Sequence, residues 1–131
     1  MSAGANRNAL MLEGKGKMDA DTFINEALVI GQKRGLHALQ PVQQVIFAVS
    51  EAEVTCDMDG IDSLIEHYGA ESLPLFERAY AAIGALEIAD ALKRLIMFPA
   101  SEEFLERVNS LITERRGYGY ESIRAYVAAR I

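Results

Sequence analysis

The chain has 131 residues, 50% hydrophobic and 24% charged, a composition that suits one globular domain and excludes wholesale disorder. Its 19 acids outnumber 13 Lys and Arg for a net charge of −6, which disfavours direct nucleic-acid binding because acidic surfaces repel phosphates. A single cysteine excludes an internal disulfide and a multi-cysteine zinc site.

Residues 1–17 carry Gly4, Gly14 and Gly16 with little apolar periodicity. They read as an N-terminal arm, or as a short pairing segment around Ala9–Leu12, ahead of one helical domain over residues 18–131. Asp19 or Asp21 can cap a first helix. Its stripe is Phe23, Ile24, Ala27 and Leu28, Lys33 and Arg34 complement the dipole of its last turn, and Gly35 stops it. Pro41 suits the first turn of a second helix with Val42, Val45, Ile46 and Val49 inward. This helix is expected to run towards Glu53 and loosen near Asp57–Gly60. A third resumes with Ile61, Leu64, Ile65 and Tyr68 and ends at Gly69. Ser72 is the expected cap of a fourth, with Leu75, Phe76, Ala79, Tyr80 and Ile83 inside. After Gly84, the residues Ile88, Ala91, Leu92, Leu95 and Ile96 define a fifth, ended by Pro99. Ser101 opens a sixth, with Glu102 and Glu103 at its positive end and Phe104, Leu105, Val108, Leu111 and Ile112 inside. Gly117 and Gly119 precede a last short helix with Ile123, Tyr126 and Val127. Every periodic segment fits a repeat of 3.6 rather than 2, so the fold class is all-α, a compact bundle of six or seven helices.

Charge is unevenly spread. From Gly35 to Glu77 there is no Lys or Arg, while Glu51, Glu53, Asp57, Asp59, Asp62, Glu66, Glu71 and Glu77 are all acidic. Asp59, Asp62 and Glu66 are spaced i, i+3, i+7 and share a helix face opposite Ile61, Leu64, Ile65 and Tyr68. Like charges at that spacing cost a few tenths of a kcal/mol per pair. An uncompensated row therefore either marks a solvated face or awaits something basic.

The middle of the chain resembles the DNA-mimic protein family over about residues 40–100. The family pattern is an acidic-apolar entry into a glycine turn, an amphipathic helix with aromatic residues, and a later Ile-Gly-Ala element with an Ala-rich continuation. The matching residues are Glu51-Ala52-Glu53-Val54, Met58-Asp59-Gly60-Ile61, Asp62 to Gly69, Ala82-Ile83-Gly84-Ala85, Glu87 to Leu92, and Phe98. Met58 and Asp59 stand where the family has Asn and its first Gly, and Ile61 where it has Phe. Asp59 can still tolerate a left-handed turn. The resemblance implies carboxylates presented in place of DNA phosphates to a DNA-binding protein, a role in transcription regulation, and a homodimer.

Other chemistry is weaker. Cys56, with His37 and His67 elsewhere, is a poor nucleophile because neighbouring carboxylates raise a thiol pKa. An EF-hand register puts Asp57, Asp59 and Glu66 at ligand positions, yet Thr55 stands at position one and Asp62 at the apolar position eight. Glu66 and His67 diverge by about 100° on a helix. Gly14-Lys15-Gly16-Lys17 lacks the rest of a P-loop. Arg115 and Arg116, near Tyr118 and Tyr120, read first as cations at a helix end and second as a partner or dimer contact.

The expected function is a non-enzymatic module without cofactor or bound metal, docking a basic protein surface through Glu51, Glu53, Asp57, Asp59, Asp62 and Glu66. An immunity-type inhibitor of a basic toxin or nuclease would use the same acids. A metal-dependent protein built on Asp57, Asp59 and Glu66 is the remaining alternative. Apolar runs such as Val45–Val49 fall far short of the roughly 20 residues that span a bilayer. The first residues have no secretory apolar core, so the expected location is cytoplasmic, without membrane contact.

Overall fold

A computed structural model describes residues 18–131. The expected arm over residues 1–17, with Ala9–Leu12 and Gly14–Lys17, lies outside the described residues. Seven α-helices follow in order: α1 (Ala20–Arg34), α2 (Pro41–Met58), α3 (Ile61–Tyr68), α4 (Leu73–Ala82), α5 (Leu86–Met97), α6 (Glu102–Thr113) and α7 (Tyr120–Ala128). Short 3₁₀ turns at Leu36–Ala38 and Ala70–Ser72 join α1 to α2 and α3 to α4. The described residues contain no strand, and none of their helices is long and apolar enough to cross a membrane.

Local chemistry sets most of the boundaries. Asp19 caps α1 by accepting from the Thr22 amide at 2.8 Å, and Ser101 caps α6 through the Phe104 amide at 3.1 Å, each satisfying an amide the helix itself cannot. Pro41 opens α2, while the Gln40 amide just before it donates to the Gln43 side chain at 3.1 Å. Four expectations are corrected. Helix α2 does not loosen at Asp57 but runs unbroken to Met58, because Ala52 and Cys56 continue its buried stripe. The turn after it places the left-handed residue at Gly60 (φ 93°), whereas Asp59 has φ −128°. Ser72 does not cap α4: it closes the preceding 3₁₀ turn, and its buried hydroxyl donates back to the Tyr68 carbonyl at 2.9 Å. Ile96 is exposed rather than inward, as are Met97 and Phe98 after it, so burial of α5 ends before its last turn does.

The main core is built from α2, α4, α5 and α6, with Ala48, Val49, Phe76, Tyr80, Ile88, Leu92, Val108 and Ile112 all enclosed. Helix α3 lies against α2 and α6 and buries Ile61 and Leu64. A smaller cluster of Ala20, Ile24, Ala27, Ile46 and Val127 joins α1 and α7 to α2. Gly31 permits the close approach of α1 and α2: a Cβ there would lie 2.3 Å from Cδ1 of Phe47. This packing leaves the outer faces of α2, α3 and α6 side by side at the surface.

Candidate functional site

Of the six acids singled out from the sequence, Glu51, Glu53 and Asp57 lie on α2 and fall on two sides of it, Asp59 follows α2, and Asp62 and Glu66 lie on α3. Successive helical residues turn by about 100°, so Glu51 and Glu53 point about 200° apart. Glu53 and Asp57, one turn apart, face the segment after α6. There Arg115 grips Asp57 with both terminal nitrogens, Nη1 to Oδ1 at 3.0 Å and Nη2 to Oδ2 at 2.9 Å. Its Nε also lies 3.7 Å from Glu53 Oε2, which accepts a short hydrogen bond from the Tyr118 hydroxyl. The Arg115 hydrogen bonds hold the Asp57 carboxyl below its ordinary range, and Asp57 in turn raises the guanidinium pKa. Burial, followed by the hydrogen bond to Glu53, pushes the Tyr118 phenol up. Two of the expected docking acids are thus internally compensated. Arg115, expected as a dipole-complementing cation, is instead the clamp between α2 and the α6–α7 connection. It adopts a left-handed backbone (φ 51°) to reach it. Arg116 pairs with Glu114 at 2.9 Å and Glu87 at 3.5 Å.

The other acids stay on the outer surface. Glu51, Asp59 and Glu66 border a groove of about 660 Å³ between α2 and α3, together with Thr55, Ser63 and His67. Glu51 accepts from the Tyr68 hydroxyl at 2.6 Å, which fixes its position without neutralising it. Burial raises the Tyr68 phenol, and that carboxylate raises it further. Asp62 leans over the opposite edge of α3. It borders a second groove, of about 360 Å³, with Glu102, Glu106 and Asn109 of α6. No ion-pair partner of Asp59, Asp62, Glu66, Glu102 or Glu106 occurs among the described residues. Helix α3 is therefore a ridge with carboxylates along both flanks. From the sequence, Glu102 reads only as a charge at the positive end of α6, and Glu106 is not singled out. Their i, i+4 spacing on the polar side of α6 was the available signal, but only packing puts that side beside Asp62.

The alternatives fare differently. Cys56 is buried, and its thiol is pushed up to about 12, first by burial and then by Asp57, with Arg115 opposing. Burial outweighs the carboxylate effect expected from the sequence. The EF-hand register fails because Thr55–Met58 is the last turn of α2 rather than a loop. Glu66 and His67 do border one groove, yet among the described residues no three His, Cys, Asp or Glu side chains are grouped to hold a metal ion.

The sequence matches the DMP19-like protein family over residues 37–125, which is more than half of the chain and spans α2 to α6. The chain belongs to the DMP19-like protein family. This is a non-enzymatic DNA-mimic family, in agreement with the resemblance read from residues 40–100. The matched segment contains the α2–α3 turn and every carboxylate of the ridge. No curated protein and no solved structure matches the chain.

Proposed function

We propose that this chain is a non-enzymatic protein-binding module that presents the α3 ridge to a basic, DNA-binding protein surface and occupies it in place of DNA. The observation that carries this reading is the set of outward carboxylates without a cation partner among the described residues. These are Asp59, Asp62 and Glu66 on and beside α3, with Glu51 on one flank and Glu102 and Glu106 on the other. Duplex DNA carries one negative charge per about 1.7 Å of axis. Carboxylates from three adjacent helices approach that density better than any one helix, and the packing of those helices sets the spacing of the backbones that carry them. A surface evolved to bind phosphates can accept such an array, and complementary potentials speed its encounter and exclude wrong partners. Glu53 and Asp57 contribute to the architecture of the face through Arg115 rather than as free docking charges.

Capture from the source cell's lysate tests this. Wild-type protein is compared with an Asp59→Asn, Asp62→Asn, Glu66→Gln variant at low and moderate salt. The reading predicts a DNA-binding regulator retained only by wild type and released as salt rises. Equal retention by both proteins rejects the ridge as the docking surface. Retention of a nuclease or toxin instead of a regulator assigns the same ridge to an immunity-type role.

A further inference from the structure

Resting on the acidic-ridge reading, we infer that Val54 and Met58 form an apolar anchor in the same interface, so that the partner presents an apolar side chain beside its cations rather than a purely basic surface. Both residues lie on α2 one turn apart, and both stand open at the surface, with Val54 51% and Met58 76% exposed. Helical geometry places them between two polar rows. Taken around α2, the order is Asp57, Val54, Met58, Glu51, Thr55 and Asp59. Asp57 with its Arg115 clamp borders the pair on one side, and the carboxylates of the α2–α3 groove border it on the other.

An apolar centre with a charged rim is the usual anatomy of a specific protein interface. It has no use against a polycation, or for a face that only needs to stay solvated. Charge decides the occupant. Helices α2 and α3 contain no Lys or Arg, and Arg115 beside them is already held by Asp57 and Glu53, so a second copy of this chain would bring no free cation on this face to meet Glu51 and Asp59. A basic partner supplies them. Methionine suits the role because its unbranched, polarizable side chain adapts to the surface it meets.

Two synthetic helical peptides of identical Arg content test the inference, one with Leu and the other with Ala on its apolar stripe. Calorimetric titration of wild-type protein should show roughly tenfold tighter binding of the Leu peptide, the scale expected for burying one such side chain. A Val54→Thr, Met58→Gln variant should lose that preference while keeping the salt dependence and the unfolding midpoint. Equal affinity of wild type for the two peptides overturns the anchor and leaves the acidic ridge standing. If neither peptide binds, or if the Asp59→Asn, Asp62→Asn, Glu66→Gln variant binds both as well as wild type, the ridge reading fails and the anchor with it. Sedimentation of the protein alone covers the rival occupant: a dimer that Met58→Gln dissociates would give this face to a second copy and overturn the inference.

Discussion

Arg115 holds Asp57 through two parallel hydrogen bonds of 3.0 and 2.9 Å across a sequence separation of 58 residues. Bidentate guanidinium–carboxylate pairs are the more directional of ion pairs, and this one joins α2 to the connection between α6 and α7. Replacing Arg115 with Ala should lower the unfolding midpoint at neutral pH and leave Asp57 and Glu53 without their cation. The sign with pH follows from Asp57. Its folded-state pKa lies below the ordinary value of 3.8, so its stabilising contribution is present above that value and lost as pH falls through the folded pKa. Urea unfolding of wild type and variant should therefore differ at pH 7 and converge at strongly acidic pH. A difference that persists in acid would assign the loss to packing or to the hydrogen bond from Arg115 Nη1 to the Thr113 carbonyl instead.

Gly31 is the contact point of α1 and α2. A Cβ there would lie 2.3 Å from Phe47 Cδ1 and 2.5 Å from Cγ, too close for any contact, and the clash is with the near edge of the ring. Gly31→Ala should destabilise the protein by about 2 kcal/mol, since overpacking costs typically 1–3 kcal/mol and the gain in helix propensity offsets part of it. Combining it with Phe47→Leu should give less than the sum of the two single effects, because one clash is removed from the other's background. Additive values from denaturant unfolding would contradict this account of the contact.

Cys56 tests the burial of α2 against the main core. With the thiol pushed up to about 12, almost none is thiolate at neutral pH, and the thiolate is the reactive form. The folded protein should react with a disulfide reagent orders of magnitude more slowly than the chain in denaturant. Fast labelling under native conditions would show that α2 opens locally near Cys56.

Much of this architecture was legible in the residues. Asp19, Gly35, Pro41, Gly69 and Ser101 each act locally, so their positions mark helix ends without knowledge of the fold. Ser72 deceived because a hydroxyl able to cap a following helix is equally able to bond back to a preceding carbonyl, and the buried 3₁₀ turn selected the second. Ile96 deceived because a periodic stripe does not reveal where along a helix the burial ends. The acids were visible as a cluster. The opposite orientation of Glu51 and Glu53 follows from helical geometry alone. The clamp of Arg115 on Asp57 and the approach of Glu102 and Glu106 to Asp62 depend on how α6 packs against α2 and α3, which no local pattern encodes.

Glu66 lies in the last turn of α3, where a negative charge opposes the helix dipole, and four residues from Asp62, where like charges repel. Glu66→Gln should accordingly stabilise the fold by a few tenths of a kcal/mol while weakening partner binding. A residue that is better for binding than for stability is the signature of a surface kept for function. Thermal melts and binding measured on the same variant decide it, and a variant that loses stability contradicts the solvated position of this carboxylate, unpaired among the described residues.

Displacement of the captured partner by duplex DNA tests the central claim most directly. With the partner bound to immobilised wild-type protein, duplex DNA carrying the partner's own site should release it in proportion to its affinity for that site, because ridge and DNA compete for one surface. A ternary complex of this chain, partner and DNA, with undiminished retention at saturating DNA, would contradict the claim that the ridge stands in for DNA.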